Sequence, residues 1–177
     1  MKIEIDTEKQ TLNGGPLYSN EAFKTICDLY MKVGWNQKMP YTYSWLGFPI
    51  LQIPEDAIRI QEAIFTLKPD VIVETGVALG GSMIYYASLC KLIGNGRVIG
   101  VEKGLRCRKE IETHPLSEYI YLIEGDSTAP EIVEKVHRMC RGYKALVILD
   151  SNHSKAHVAK ELEAYHDMIE PGSYIVA

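Results

Sequence analysis

From Pro54 onward the chain carries five short apolar runs, "VIVE" (71–74), "RVIGVE" (97–102), "IYLIEG" (120–125), "ALVILD" (145–150) and "SYIVA" (173–177). Helical patterns separate them: "EDAIRIQEAIFTLK" ends before Pro69, a second helix opens at about Gly81, and others are expected near 105–112, 129–141 and 154–168. The runs lack polar alternation, so each must be buried on both faces, and a helix follows each of the first four. That combination predicts an α/β fold, a parallel sheet with helices on both faces. In such a sheet ligands bind beyond the carboxyl ends of the strands. The positions to inspect are therefore Glu74 to Gly81, Glu102, Gly125 to Ser127, and Asp150 to His153.

The first strand leads into "DVIVETGVALGGS", whose Glu74, Gly76, Gly80 and Gly81 give the spacing E-x-G-x-x-x-G-G. This is neither the G-x-G-x-x-G of a dinucleotide fold nor a P-loop, which needs a lysine. A carboxylate at the end of the first strand repels phosphate, but it can order the loop or face a cationic ligand through water. Glu102, one βαβ unit further on, stands where an acid accepts hydrogen bonds from ribose hydroxyls. Asp126, in "EGDS" with Ser127 beside it, is placed to meet an adenine amine. An adenosine with a positively charged amino-acid tail fits these strand ends, and S-adenosylmethionine is such a molecule.

"LVILDSNHS" puts Asp150 at the tip of the fourth strand and His153 three residues later, before a helix. Asp150 suits a magnesium ion as a hard oxygen ligand, and His153 suits the removal of a proton from a substrate hydroxyl. The bland alternative makes Asp150 a helix N-cap, in competition with Ser151, Asn152 and Ser154, and leaves His153 on the surface. His157 lies four residues beyond His153, but "HSKAH" lacks the glutamate of a zinc-protease motif, and His157 is read as helix surface.

The runs "YSWLGFPILQIPEDAIRIQEAIFTLKPDVIVETGVALGGS", "RVIGVE", "HPLSEYIYLIEGDST" and "LVILDSNHS" together resemble the cephalosporin hydroxylase family. Its members have the Rossmann-like class I methyltransferase fold and are similar to rhamnosyl and macrolide-sugar O-methyltransferases. The resemblance extends from about Tyr43 to the end. It implies a SAM-dependent O-methyltransferase acting on a sugar-like, small-molecule hydroxyl acceptor. The cofactor would be bound by the loop Glu74, Gly76, Ala78, Gly80, Gly81 and Ser82, with Glu102 on the ribose and Asp126 and Ser127 near the adenine. It also implies Asp150 as magnesium ligand and His153 as general base. An iron oxygenase, suggested by the word hydroxylase, needs an H-x-D/E triplet that the sequence does not contain.

The family continues past the fifth strand with an acidic pair and further strands, whereas the sequence stops at "GSYIVA"; the expectation is a sheet truncated after its fifth strand, with Asp150 alone of the carboxylate ligands. Residues 1–53, rich in turn formers and aromatics, are read as an arm with one helix at about 20–33, and 54–177 as the SAM-binding unit. Tyr41, Tyr43 and Trp45 of the arm can cap an acceptor pocket or serve packing. The arm and the open sheet edge point to a homo-oligomer.

Composition narrows the partners. The net charge is -4, and the one basic cluster, "RCRK" at 106–109, is too short for a nucleic-acid footprint. No apolar run approaches the roughly 20 residues that span a bilayer, and "MKIEIDTEKQ" is not a signal peptide, so a cytoplasmic protein with no membrane partner is expected. Four scattered cysteines make no metal or redox motif. Two other readings compete: a binding or assembly module that keeps the cofactor fold without chemistry, and an NAD-dependent oxidoreductase, which the glycine spacing disfavours.

Overall fold

The computed structural model describes residues 2–177. The chain divides into two compact units, one ending at Thr42 and the other spanning Tyr43–Ala177. In the first, β1 (Ile5–Asp6), β2 (Thr11–Leu12) and β3 (Gly15–Pro16) form an antiparallel meander, and α1 (Asn20–Asn36) follows. The Ser19 hydroxyl caps α1 by accepting from the Ala22 N–H at 3.2 Å, which satisfies one of the donors a helix start leaves open.

The second unit opens with a hairpin of β4 (Ser44–Trp45) and β5 (Phe48–Pro49) and continues α2 (Pro54–Leu67), β6 (Val71–Thr75), α3 (Gly81–Ile93), β7 (Arg97–Glu102), α4 (Arg108–Glu112), β8 (Ile120–Glu124), α5 (Pro130–Cys140), β9 (Ala145–Leu149), α6 (Lys155–Tyr165) and β10 (Ile175–Val176). The boundary read at residue 53 moves to 43. The stretch from Tyr43 to Ile53 packs with the α/β unit, because Ile50 and Ile53 are buried there and the Trp45 indole donates to the Ser88 hydroxyl at 3.0 Å. Trp45 also stands edge-on to Tyr85, with ring centroids 4.9 Å apart. It is thus committed to the middle of α3, roughly 10 Å along the helix axis from Gly81 by helix rise, and does not cap the strand ends.

β6 to β10 form one all-parallel sheet in the order β10-β9-β6-β7-β8. Period-two alternation sends Val71 and Val73 to one face and Ile72 and Glu74 to the other. Ile72, Val98 and Leu146 join a core with Met83, Tyr86 and Ile64 of α3 and α2, while Val73, Ile99 and Val147 join a second with Val136 and Tyr165 of α5 and α6. Two buried faces explain the unbroken apolar runs of β6, β7 and β9; the edge strands β8 and β10 depart from the expectation, with Tyr121 and Val176 exposed.

The chain leaves β6 toward β7 on one side and returns to β9 on the other, so the crevice between the ends of β6 and β9 is the topological switch point. Backbone hydrogen bonds level the strand ends there: Gly76 N–H donates to Val101 O at 2.8 Å, Gly125 N–H to Glu102 O at 2.9 Å, and Asp150 N–H to Thr75 O at 2.9 Å. Gly76 has φ +92°, and a Cβ at that point would run into the backbone of Asp150 and Ser151. We expect Gly76→Ala to destabilise the fold by at least about 2 kcal/mol, combining left-handed strain with overpacking. In thermal unfolding this reads as a midpoint lowered by roughly 4–8 °C; an unchanged midpoint would contradict the close approach.

Candidate functional site

Glu74, Glu102, Asp126 and Asp150 sit at or just beyond the carboxyl ends of four adjacent strands, but their surroundings give them different work. Glu74 faces α3 and is fully buried. Its carboxyl accepts from the Ser82 hydroxyl at 2.5 Å and from the Tyr86 hydroxyl at 3.2 Å, so it ties the end of β6 to the first two turns of α3. Burial, and secondarily the charge of Asp150, push its pKa from 4.5 up to about 8, against the two hydroxyl donors. Of the two roles read for this acid, ordering the glycine loop is the one its contacts serve.

The loop between them is tight. Ala78 and Gly80 both have positive φ, and Gly80 is the N-cap of α3. A Cβ at Gly81 would meet the Pro49 carbonyl and Ile50 backbone, so the segment after β5 lies directly on the helix start. Glu102 reaches back under this loop: one carboxylate oxygen accepts from the Val77 and Ala78 N–H groups at 3.2 Å each, and the other lies 3.4 Å from the Gly104 N–H. The first oxygen is held by the loop, and the second has only the long contact to Gly104.

Asp126 is engaged locally. One oxygen accepts from the Thr128 N–H at 2.9 Å and hydroxyl at 2.8 Å, and the other pairs with Lys103 at 2.9 Å. The Lys103 contact, then the Thr128 donors, hold its pKa well below the ordinary carboxylate range. Both oxygens of the acid expected beside adenine therefore already have donors.

Asp150 and His153 do meet, with Nε2 and Oδ1 3.6 Å apart at the rim of β9. The His153 side chain is 78% exposed, open to a substrate. Desolvation raises the Asp150 pKa, with Glu161 adding to it and His153 opposing. Ser154 takes the N-cap position of α6, and its own N–H is held by the Asn152 side chain at 2.9 Å, so Asp150 is not the cap. Among the described residues no three His, Cys, Asp or Glu side chains cluster as a metal site.

Behind the rim lies a partly open pocket of about 140 Å³, lined by residues that include Gly76, Glu102, Gly125, Ser127, Ser151 and His157. His157 is a correction to the sequence reading: its side chain is only 16% exposed and faces inward. It is part of a network that sequence reasoning missed. Glu161, fully buried, accepts from the hydroxyls of Ser127 at 2.5 Å and Ser151 at 2.7 Å on one oxygen, with His157 Nε2 3.4 Å away. The Tyr165 hydroxyl donates to the Ser127 carbonyl at 2.7 Å. His157, Glu161 and Tyr165 recur every four residues, the spacing of one helix face, and that signal was available in the sequence.

The raised pKa of Glu74 has a measurable consequence. Below pH 4.5 the carboxyl is protonated in the folded and unfolded chain alike; between 4.5 and about 8 only the unfolded chain releases the proton. Stability contributed here is therefore present at low pH, declines through that window and levels off above it. Glu74→Gln, which keeps an acceptor for Ser82, should flatten this slope in chemical denaturation from pH 5 to 9; a slope equal to wild type would contradict an ionisable buried Glu74.

The family model described as Rhamnosyl O-methyltransferase/CmcI matches residues 37–177. The Rhamnosyl O-methyltransferase of Mycobacterium leprae (strain TN) is 30% identical over 155 residues, 86% of this chain and 66% of that protein. The Rhamnosyl O-methyltransferase of Mycobacterium bovis (strain BCG) is 30% identical over 141 residues, 75% of this chain and 55% of that one. The chain thus spans between about half and two thirds of the length of these relatives. Among solved structures, CmcI with Mg-SAM superposes with a TM-score of 0.61 at 27% identity, over 76% of this chain and 56% of CmcI. An O-methyltransferase from Bacillus cereus in complex with SAH shares the fold, with a TM-score of 0.56 at 18% identity over 85% of this chain and 64% of that one.

Proposed function

Because this chain belongs to the Rhamnosyl O-methyltransferase/CmcI family, we propose that it binds S-adenosylmethionine at the ends of β6 to β9 and transfers its methyl group to a hydroxyl of a sugar-like acceptor. The observation that carries the reading is Glu102: a carboxylate fixed on one oxygen by the glycine loop, with the other 3.4 Å from the Gly104 N–H, on a residue that lines the pocket. Such an oxygen accepts from ribose hydroxyls. Gly76, Ala78, Gly80, Gly81 and Ser82 shape the loop against which the cofactor's amino-acid tail would lie, and Ser127 lines the pocket further along. A positive group beside Asp150 would offset the desolvation that raises its pKa.

S-adenosylmethionine supplies, when bound, a methyl on a positively charged sulfur. The acceptor oxygen forms its bond to that carbon as the carbon–sulfur bond breaks, leaving S-adenosylhomocysteine and a methyl ether. His153, exposed at the rim, takes the hydroxyl proton, and Asp150 beside it stabilises the imidazolium that results. Holding oxygen and methyl in line supplies most of the rate. Asp150 is also the carboxylate this chain offers to a magnesium ion. Glu74 cannot join it, being buried and bonded to Ser82 and Tyr86, so the described residues do not complete a divalent site and no step here runs through a metal.

A cytoplasmic homo-oligomer completes the reading; no helix among the described residues is long and apolar enough to cross a membrane. Phe23, Ile26 and Val33, exposed on α1 at helical spacing, support assembly of like chains.

Transfer of labelled methyl to rhamnose-bearing glycosides tests the function. Wild type should form methyl ether, and His153→Ala should lose about 10²-fold or more in kcat while S-adenosylhomocysteine affinity stays within about twofold. A fully active variant removes His153 as base; no transfer by wild type that binds the cofactor removes the acceptor class.

A further inference from the structure

The pocket's inner wall defines a hydrogen-bonding pattern that the proposed reaction does not use. Ser127 has one hydroxyl proton, and Glu161 takes it at 2.5 Å. Toward His157 Nε2, 3.3 Å away, the same oxygen can therefore only accept, and the Glu161 carboxylate beyond it is likewise an acceptor. Nε2 must carry the proton when the ring is neutral. The other ring nitrogen, Nδ1, is then a lone-pair acceptor without a partner among the described residues, on a ring that lines the pocket. The second oxygen of buried Glu161 also lacks a donor.

This matters because the acid next in line is already engaged: Asp126 accepts from Thr128 on one oxygen and pairs with Lys103 on the other. With Glu102 holding the ribose, the base of the cofactor extends along the sheet toward Gly125 and Ser127, which is where His157 stands. We propose that His157, oriented by Ser127 and Glu161, selects the base of the bound cofactor by accepting a hydrogen bond from the exocyclic amine of adenine at Nδ1. The inference rests on the adenosyl-cofactor reading and deepens it. An acceptor at this place favours a 6-amino purine over hypoxanthine, which presents a carbonyl oxygen instead and leaves two acceptors face to face.

The test is calorimetric titration of the full chain with S-adenosylhomocysteine and with S-inosylhomocysteine. Wild type should bind the adenosyl compound about tenfold more tightly or better, the scale of one hydrogen bond. His157→Ala should bind the two within about twofold of each other. His157→Gln guards against a folding failure: its amide keeps a polar group where Nε2 meets Ser127 and Glu161, but places nothing at Nδ1, so it too should lose the preference while its thermal midpoint stays near wild type. Either folded variant retaining the wild-type ratio overturns the inference and leaves the cofactor reading intact. Wild type that binds both compounds equally does the same. Wild type that binds neither removes the cofactor reading, and base selection with it.

Discussion

The site depends on the contact of two backbones, Gly76 at the end of β6 and Asp150 at the end of β9. These strands are neighbours in space though far apart in sequence, and their register, Thr75 beside Leu149, brings both ends to the same height. No side chain separates them. The gap that remains in front is a crevice floored by backbone, into which the glycine loop and the start of α6 can both reach.

Around this frame the buried polar groups divide into two sets. On the α3 face, Glu74 binds Ser82 and Tyr86 and fixes where the helix begins. On the α6 face, Glu161 binds Ser127 and Ser151, so it links the loops after β8 and β9. Each carboxyl group carries a desolvation cost, which hydroxyl donors partly offset. The result is a pocket whose inner wall is set by interior hydrogen bonds, while exposed Lys103 and Asn152 line its outer side. A fixed inner wall suits a reaction whose rate comes from alignment.

Much of this was legible in the residues. Strands buried on both faces must be apolar throughout, so "VIVE" and "ALVILD" declared themselves, and glycines and acids just after them marked the rim. The placement of Asp150 and His153 together at the rim of β9 was readable for the same reason. The inner wall was legible only in part: the four-residue spacing of His157, Glu161 and Tyr165 was there to read, but what that face meets was not. In "KAHVAKELEAY" a hydropathy pattern favours Leu162 for the interior, yet Leu162 is exposed and Glu161 is buried, because that helix face meets hydroxyl donors from two loops that no local pattern reveals. Likewise β4 and β5, two residues each, carry no period long enough to detect, and their place on α3 follows from Trp45 and Gly81 rather than from strand propensity.

In the proposed reading the ends of four strands form a single adenosyl-cofactor pocket. Amide hydrogen exchange with and without saturating S-adenosylhomocysteine is the measurement that decides it. Concerted protection is expected in the segments 76–82, 102–104, 125–128 and 151–157, with the core strands unchanged. Protection confined to one of these segments, or lying outside them, would contradict it.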